Sequence, residues 1–239
     1  FTSRDPIGYP DGYNAYAGYF AAGWTWDPSG LKRIVVVVHG QDFVGLAPSS
    51  PILAGVVQEL KKDENNIVIE RQEDADWTSN MHKEIDDLQK EWENDPDNKD
   101  SEKHSIVLIG HSNGGDAARK IAEQLGDSGW FGEKDTYNVD LLFLLDPIGK
   151  PWHDSDKEYP VSDNVKKIIN IYQDLDTFGI LFFKLQGYRV DREGANNCWS
   201  VSSPEDYRVP IAPHVGIVEY HKKRIYEAVS EVPIHGEKY

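Results

Sequence analysis

The sequence predicts an α/β domain whose core is a doubly wound, mostly parallel β-sheet with helices on both faces. Short apolar runs rich in β-branched residues recur along the chain, which is typical of strands buried on both faces of a sheet. Stretches of helical pattern separate these runs, as the crossover connections between parallel strands require. The longest apolar runs have about five residues, whereas a membrane-spanning helix needs ~20. The sequence therefore predicts no transmembrane segment.

The predicted elements alternate in a βαβα order. The predicted strands are residues 32–38, 66–70, 105–109, 139–145 and 167–172. The predicted helices are residues 51–62, 79–93, 114–125 and 219–232. In sheets of this kind ligands bind at the carboxyl ends of the strands. The residues that follow each strand are therefore the first candidates for a functional site.

Composition divides the chain into two predicted domains. Residues 1–31 are rich in Gly, Tyr, Pro and Asp and follow neither the strand nor the helix periodicity, which indicates an irregular, turn-dominated segment. Residues 32–239 carry all the predicted strands and helices and form the α/β domain. The first residues contain neither an initiator Met nor a signal-peptide pattern, so we expect the chain to be part of a longer protein.

Net charge argues against one class of partner. The 239 residues include 41 acidic and 25 basic side chains, which gives a formal charge of −16. Such a charge repels a phosphate backbone, and basic runs such as Lys61-Lys62 and Lys222-Lys223-Arg224 have at most three residues, so nucleic-acid binding is not expected. The single cysteine, Cys198, permits no internal disulfide and no multi-cysteine metal cluster.

One motif carries most of the chemical information. The strand at 105–109 runs into Gly110-His111-Ser112-Asn113-Gly114-Gly115, and an Ala-rich helical pattern follows at once. A G-x-S-x-G sequence between strand and helix requires a sharp, strained turn, in which glycines allow close backbone approach and the serine hydroxyl points out of the sheet. A serine at a helix entry could instead act only as an N-cap. The order of strand, turn and helix favours Ser112 as a nucleophile.

The first apolar strand ends in a second informative motif, His39-Gly40-Gln41-Asp42. It resembles the oxyanion loop of lipases and esterases in the α/β-hydrolase family. The resemblance implies that two backbone N–H groups, of Gln41 and of Asn113, stabilise a tetrahedral oxyanion. His39 itself is interpreted as a packed structural residue rather than a general base.

The chain order of that family, serine then acid then histidine, implies a general base late in the sequence. His214 lies in a segment marked by Pro and Gly, Pro213-His214-Val215-Gly216, which we predict to be a loop just before the last helix. His153 and His221 are the remaining alternatives. His214 is favoured because it stands where the histidine of an α/β-hydrolase belongs.

Two carboxylates compete for the third role. Asp146 follows the strand at 139–145 and is similar to the post-strand Leu-Asp-Pro of some lipases. Asp176 follows the next strand, at the position that most α/β-hydrolases use. We favour Asp146, although either residue could simply stabilise a turn. The acid would hold the imidazole in one tautomer and stabilise its charged form.

These roles predict nucleophilic catalysis at an acyl carbonyl. His214 would deprotonate Ser112, the serine would attack the carbonyl, and water would later cleave the acyl-enzyme. No metal and no cofactor are needed for this chemistry. The sequence also lacks the phosphate-binding loop, the dinucleotide-binding glycine motif and the H-E-x-x-H zinc motif.

Residues 32–231 as a whole resemble lipase-like members of the α/β-hydrolase superfamily. The His-Gly pair, the GHSNGG turn, the Leu-Asp-Pro triplet and the late PHVGI segment carry the resemblance. It implies an α/β-hydrolase fold that lacks the two leading strands of larger members and has a small or absent cap. The apolar stretch at 178–183 is interpreted as core packing, with a lid or acyl pocket as the alternative.

Residues 1–31 contain two DPxG elements, which begin at Asp5 and Asp27 and are separated by the eighteen residues Tyr9 to Trp26. By composition alone both aspartates would be turn residues. The pattern resembles the end of the core of RHS/YD-repeat proteins, in which the repeats form a β-shell around a variable C-terminal toxin. The resemblance implies that the two aspartates cleave the chain after Leu31, and that the RHS shell of a longer parent is a partner of the α/β domain.

The sequence thus predicts a serine hydrolase acting on a small-molecule or lipid carboxylic ester, as the toxin-like C-terminal effector of an RHS-repeat protein. An amidase, a peptidase or a thioesterase would use the same triad. A non-catalytic binding module with the hydrolase fold is a further alternative, and a role confined to anchoring rests on residues 1–31 alone. The sequence does not assign a cellular compartment, and a longer RHS-type parent is compatible with secretion or the cell surface.

Overall fold

A computed structural model describes residues 31–40, 51–72, 80–94, 103–127, 135–148, 159–172, 190–191, 194–199 and 212–234. The chain divides into two units, Phe1–Leu31 and Lys32–Tyr239. All the elements described below belong to the second unit. Asp5 and Asp27, which carry the predicted self-cleavage, lie outside the described residues.

Strands and helices alternate through the second unit. The strands are β1 (Arg33–His39), β2 (Asn66–Gln72), β3 (Ser105–His111), β4 (Leu141–Leu145), β5 (Tyr159–Pro160), β6 (Ile168–Tyr172), β7 (Val190–Asp191) and β8 (Asn196–Trp199). The helices are α1 (Pro51–Leu60), α2 (Met81–Glu93), α3 (Asn113–Gly126) and α4 (Ala212–Ser230).

Six of the strands form one sheet in the order β2-β1-β3-β4-β6-β8. Every neighbouring pair in it is parallel. Beside the edge strand β2, Val36 of β1 pairs with Ile69 of β2 on one side and with Leu108 of β3 on the other. The short strands β5 and β7 form a separate parallel pair. The predicted α/β class with a mostly parallel sheet is confirmed.

Helices cover both faces of the sheet. Successive side chains of a strand point to opposite faces, so Val36 packs in a core cluster with residues of α2 and α3. Its neighbour Val37 packs in a second cluster with residues of α1 and α4. Both valines are fully buried. Each face therefore has its own apolar core, as the near-continuous apolar strand sequences predict.

The structure differs from the sequence prediction in two places. Strands β5, β7 and β8 were not predicted, since two of them have two residues each and β8 begins with two asparagines, which disfavour strands. Helix α4 begins at Ala212 rather than near Glu219. A proline at the second position of a helix is tolerated because its missing N–H would have no intrahelical acceptor there. Pro213 therefore does not mark a loop.

Helix α4 runs antiparallel to the strands. Near its C-terminal end Arg33 Nη1 donates to the Val232 carbonyl over 3.1 Å and Ser105 Oγ donates to the Pro233 carbonyl over 2.6 Å. Arg33 and Ser105 begin β1 and β3, so this end of α4 lies where the strands start. Nineteen helical residues span about 28 Å and seven strand residues about 23 Å, so the first turn of α4 reaches the edge where the strands end.

Among the described residues, no helix combines the length and the apolar character that crossing a membrane requires.

Candidate active site

The turn between β3 and α3 has an unusual backbone conformation. Ser112, between the last residue of β3 and the first of α3, has φ +59° and ψ −132°. Of the non-glycine residues in the described segments, only Ser112 and Asp146 have positive φ. Such a conformation costs on the order of 1–3 kcal/mol and persists only where neighbouring contacts impose it. This is the sharp, strained turn that the G-x-S-x-G sequence predicts.

Glycines allow the close packing that holds this turn. A Cβ atom at Gly114 would overlap the carbonyl oxygen of Val38, and one at Gly110 would overlap the carbonyl oxygen of Gly114. A Cβ at Gly115 would lie 2.6 Å from the Cβ of Pro147. The first turn of α3 therefore rests directly on the backbone at the end of β1 and beside the segment after β4. No other residue type fits at these three positions without a shift.

The backbone of Ser112 is held by hydrogen bonds, while its hydroxyl makes no capping bond. Its N–H donates to the Leu145 carbonyl over 3.0 Å, and its carbonyl accepts from the N–H groups of Gly115 at 2.9 Å and Ile148 at 3.0 Å. Although Ser112 occupies the N-cap position of α3, its side chain forms no cap hydrogen bond. The residue is 5% exposed. The alternative in which Ser112 serves as an N-cap is therefore wrong.

Asp146 occupies the equivalent position on the neighbouring strand. His111 at the end of β3 pairs with Leu145 at the end of β4, so Ser112 and Asp146 each follow a member of this pair. Parallel neighbours lie about 4.8 Å apart. Asp146 has φ +44° and no exposed surface, and its N–H donates to the Ile171 carbonyl over 2.6 Å. The structure thus brings the favoured acid candidate to the same edge of the sheet as the serine.

The end of β1 completes the neighbourhood of Ser112. A Cβ atom at Gly40 would lie 2.7 Å from Ser112 Cβ and 3.2 Å from Ser112 Oγ. Gly40 therefore brings the backbone that leaves β1 against the serine side chain. Gln41, the first predicted oxyanion donor, comes next in the chain but lies outside the described residues.

Asn113, the second predicted oxyanion donor, is the first residue of α3. The first N–H groups of a helix have no intrahelical acceptor, and the helix dipole favours negative charge at this end. The Asn113 N–H belongs to this set. The side-chain Oδ1 of Asn113 is buried and has no hydrogen-bond partner among the described residues.

The predicted general base, His214, lies in the first turn of α4 rather than in a loop before it. The antiparallel course of α4 brings the backbone of that turn to the edge of the sheet where β3 and β4 end. Its side chain lies outside the described residues. The rival acid Asp176, the alternative base His153 and the apolar stretch at 178–183 also lie outside the described residues.

A histidine–glutamate pair that the sequence did not predict lies beside these residues. His39, at the end of β1, is 1% exposed and its Nε2 lies 2.9 Å from Oε1 of Glu70 on β2. Burial lowers the pKa of His39 and outweighs the opposing hydrogen bond and charge of Glu70. His39 is therefore neutral near pH 7. A glutamate that closes the apolar run NIVIE was the available signal, but pairing it with His39 requires the β1–β2 register.

Within the described segments, no group of three or more His, Cys, Asp and Glu side chains could hold a metal ion.

The close contact at Gly114 generates a prediction about stability. Replacing Gly114 with Ala is expected to lower the free energy of unfolding by about 1–3 kcal/mol, because the added methyl group overlaps the Val38 carbonyl. Gly55→Ala in α1 is the matched control, since a Cβ there meets nothing within 4 Å. Because alanine is the better helix former, Gly55→Ala is expected to raise stability by up to about 1 kcal/mol. Urea unfolding of both variants checks the expectation, and equal effects would contradict the packing described here.

Comparisons with known proteins add little to this geometry. No protein-family model matches the sequence, and a search of curated proteins finds no match. Among solved structures, the chain is similar to a histone deacetylase from Saccharomyces cerevisiae, with 12% sequence identity and a TM-score of 0.36, over 97% of this chain and 99% of that one. At this TM-score the likeness carries no argument about fold or function.

Proposed function

We propose that residues 32–239 form an α/β-hydrolase domain and act as a serine hydrolase that cleaves carboxylic esters. The observation that carries the proposal is the conformation of Ser112, which combines a positive φ, a buried side chain and a hydroxyl that does not cap α3. A serine that only ended a strand would relax to an ordinary backbone conformation. Strain maintained at a polar side chain is characteristic of active sites.

The strand order supports the proposed fold. The serine follows β3, which lies inside the sheet between β1 and β4, so its surroundings come from three parallel strands. The carboxyl ends of β1, β3 and β4 supply Gly40, Ser112 and Asp146 respectively. Ligands of doubly wound sheets bind at this edge. The residues with the proposed roles therefore share the edge at which chemistry is expected.

The proposed reaction begins with proton transfer from Ser112 Oγ to His214. The oxygen forms a bond to the acyl carbon, and the carbonyl electron pair moves to the oxygen as an oxyanion. The N–H groups of Asn113 and Gln41 stabilise that oxyanion. When the tetrahedral intermediate collapses, the alcohol leaves with the proton from His214. Water, deprotonated by the same histidine, then releases the acid and restores the serine.

Asp146 is the proposed partner of His214. Its carboxylate is fully buried, and a buried carboxylate is stable only where hydrogen bonds or opposite charge compensate it. Beside a histidine that becomes charged during turnover, such a carboxylate stabilises the imidazolium and fixes the ring. The adjacent position of β3 and β4 supports this role.

Hydrolysis of p-nitrophenyl esters from acetate to palmitate, by the chain and by Ser112→Ala, tests the proposal. We expect Ser112→Ala to lose at least about 10³-fold in kcat, because no other group forms the acyl-enzyme. A fluorophosphonate probe is expected to label the chain and not the variant. Turnover that rises with acyl length would indicate a lipase, and turnover of short esters alone an esterase.

Two outcomes would count against an ester hydrolase. Labelling of Ser112 without ester turnover would indicate that the substrates are amides or thioesters, which the same triad can cleave. Absence of both labelling and turnover in a folded chain would favour a binding module.

The choice of acid generates a further prediction. Asp146→Asn is expected to lower kcat on the order of 10⁴-fold, because an amide cannot stabilise the imidazolium or hold its tautomer. Asp176→Asn, the matched variant, is expected to change kcat by less than about threefold. The reverse pattern would assign the acid to Asp176. Circular dichroism of both variants separates a lost charge from a lost fold, since Asp146 is buried.

The proposal extends to the whole protein through residues 1–31. Their two DPxG elements support a place for this chain as the C-terminal effector of an RHS-repeat protein. In a full-length parent, Asp5→Ala or Asp27→Ala is expected to leave the polypeptide uncleaved after Leu31, whereas the unchanged parent yields a fragment that begins at Lys32. Gel electrophoresis with N-terminal sequencing distinguishes the two. Cleavage that persists in both variants would remove the RHS part of the proposal and leave the hydrolase part intact.

A further inference from the structure

The strand β2 lies at one end of the six-stranded sheet, and among the described strands it pairs only with β1. All seven residues of β1 are buried, whereas in β2 only Ile69 is buried. A strand at the end of a sheet presents backbone N–H and C=O groups with which a further strand can pair. The outer side of β2 is therefore a place at which an extended chain can continue the sheet.

Proteins commonly protect such an edge with proline, lysine, a bulge or a very short strand. The strand β2 has none of these, since it is seven residues long and pairs with β1 in seven consecutive pairs. Its two charged residues are each engaged by an opposite charge, Glu70 by Lys61 at 3.6 Å and Arg71 by Glu84 at 2.7 Å. The centre of the strand, residues 67–69, is apolar and β-branched, which favours pairing.

A groove of about 460 Å³ lies between this edge and helix α2. Its apolar lining consists of Ile67 and Ile69, which point to the same face of the sheet, and Leu88 of α2. Ile67 and Leu88 are only partly buried. An added strand would lie about 4.8 Å from β2, and every second side chain of it would enter the groove. The groove therefore favours a chain with apolar side chains at alternate positions.

The helix side of the groove carries an excess of negative charge. Glu84, Asp87 and Glu91 line it from one face of α2, together with a single cation, Lys83. Lys83 is already paired with Asp87 at 2.6 Å, and Arg71 engages Glu84. Glu91 is exposed and forms no ion pair within the described segments. The groove therefore favours a cation beside the apolar side chains, whereas a second copy of this chain would bring the same carboxylates.

We propose that β2 and this groove bind an extended segment of a partner protein that adds a strand to the sheet. Its apolar side chains contact Ile67 and Ile69, and a Lys or Arg side chain reaches Glu91. Backbone hydrogen bonds supply affinity and the groove supplies specificity, as in other cases of strand addition. The long stem of Lys or Arg packs on the apolar lining while its charged end pairs with the carboxylate. This interaction goes beyond the proposed hydrolysis and does not depend on it.

A labelled peptide is the probe for the first test. Fluorescein-labelled Thr-Lys-Thr-Val-Thr-Val-Thr-Lys-Thr places Lys, Val, Val and Lys on one face in either strand direction. We expect fluorescence anisotropy to show saturable binding, and the same peptide with Glu in place of both Lys to bind at least about tenfold more weakly, because like charges then meet at Glu91. Absence of binding by the basic peptide at about 1 mM would overturn the proposal.

A charge reversal at the groove is the second test, with Glu91→Lys as the variant and Glu123→Lys on α3 as its matched control. Both residues are exposed helical glutamates, both changes alter the net charge equally, and Glu123 does not line the groove. We expect Glu91→Lys to weaken binding of the basic peptide about tenfold and Glu123→Lys by less than about twofold. Circular dichroism checks that both variants fold. Equal weakening would show that only the overall charge attracts the peptide, and would overturn the proposal.

Hydrogen–deuterium exchange tests whether the bound peptide forms a strand. We expect it to slow amide exchange in residues 66–72 at least about fivefold, because the N–H groups of β2 that point away from β1 gain acceptors. Exchange in residues 105–111 of β3 is expected to stay unchanged, since β3 is already paired on both sides. Binding without protection of residues 66–72 would overturn strand addition. A dimer of the unchanged chain in sedimentation, with these residues already protected, would assign the edge to a second copy and equally overturn the proposal.

Discussion

The contact between the first turn of α3 and the end of β1 is the constraint on which the rest of the site depends. Gly114 lies against the Val38 and His39 carbonyls so closely that a methyl group would not fit. This approach draws the helix N-terminus onto the sheet edge and forces the chain at Ser112 to reverse within one residue. The positive φ of Ser112 follows from that reversal. The strained backbone of Ser112 and the lack of a side chain at Gly114 therefore have the same cause, the close contact between α3 and β1.

The hydrogen bonds between β3 and β4 extend this constraint to the second strained residue. Ser112 donates a backbone hydrogen bond to Leu145, the last residue of β4, and accepts one from Ile148, so its two partners lie on either side of Asp146 in the chain. A change in the serine turn must therefore move the segment that holds the carboxylate. These hydrogen bonds couple the two positive-φ turns to each other. Backbone contacts therefore position Ser112 and Asp146, the proposed nucleophile and acid, as a unit.

The sheet and the serine turn could be predicted from the sequence because local patterns determine them. Apolar β-branched runs predict buried parallel strands, and the spacing of Gly110, Ser112 and Gly114 predicts the turn. The start of α4 could not be predicted, because Pro213 and Gly216 have the local character of a loop and the helix is stabilised by burial of Ile217 and Val218 against the sheet. The His39–Glu70 pair could not be predicted either, since it depends on strand register across 31 residues.

Helix α4 has a further consequence that follows from where it is attached. Its C-terminal end is anchored by the guanidinium of Arg33 and the hydroxyl of Ser105, at the edge of the sheet farthest from the serine. His214 lies in the first turn, at the other end of the helix, and Ile217 and Val218 pack against the sheet between the two ends. Over the helix length of about 28 Å, a tilt of only about 2° about the anchored end would displace the first turn by about 1 Å. Displacements of that size are enough to misalign reacting groups. In the proposed reaction, residues at the opposite edge of the sheet would thus set the geometry of proton transfer to His214 without approaching the substrate.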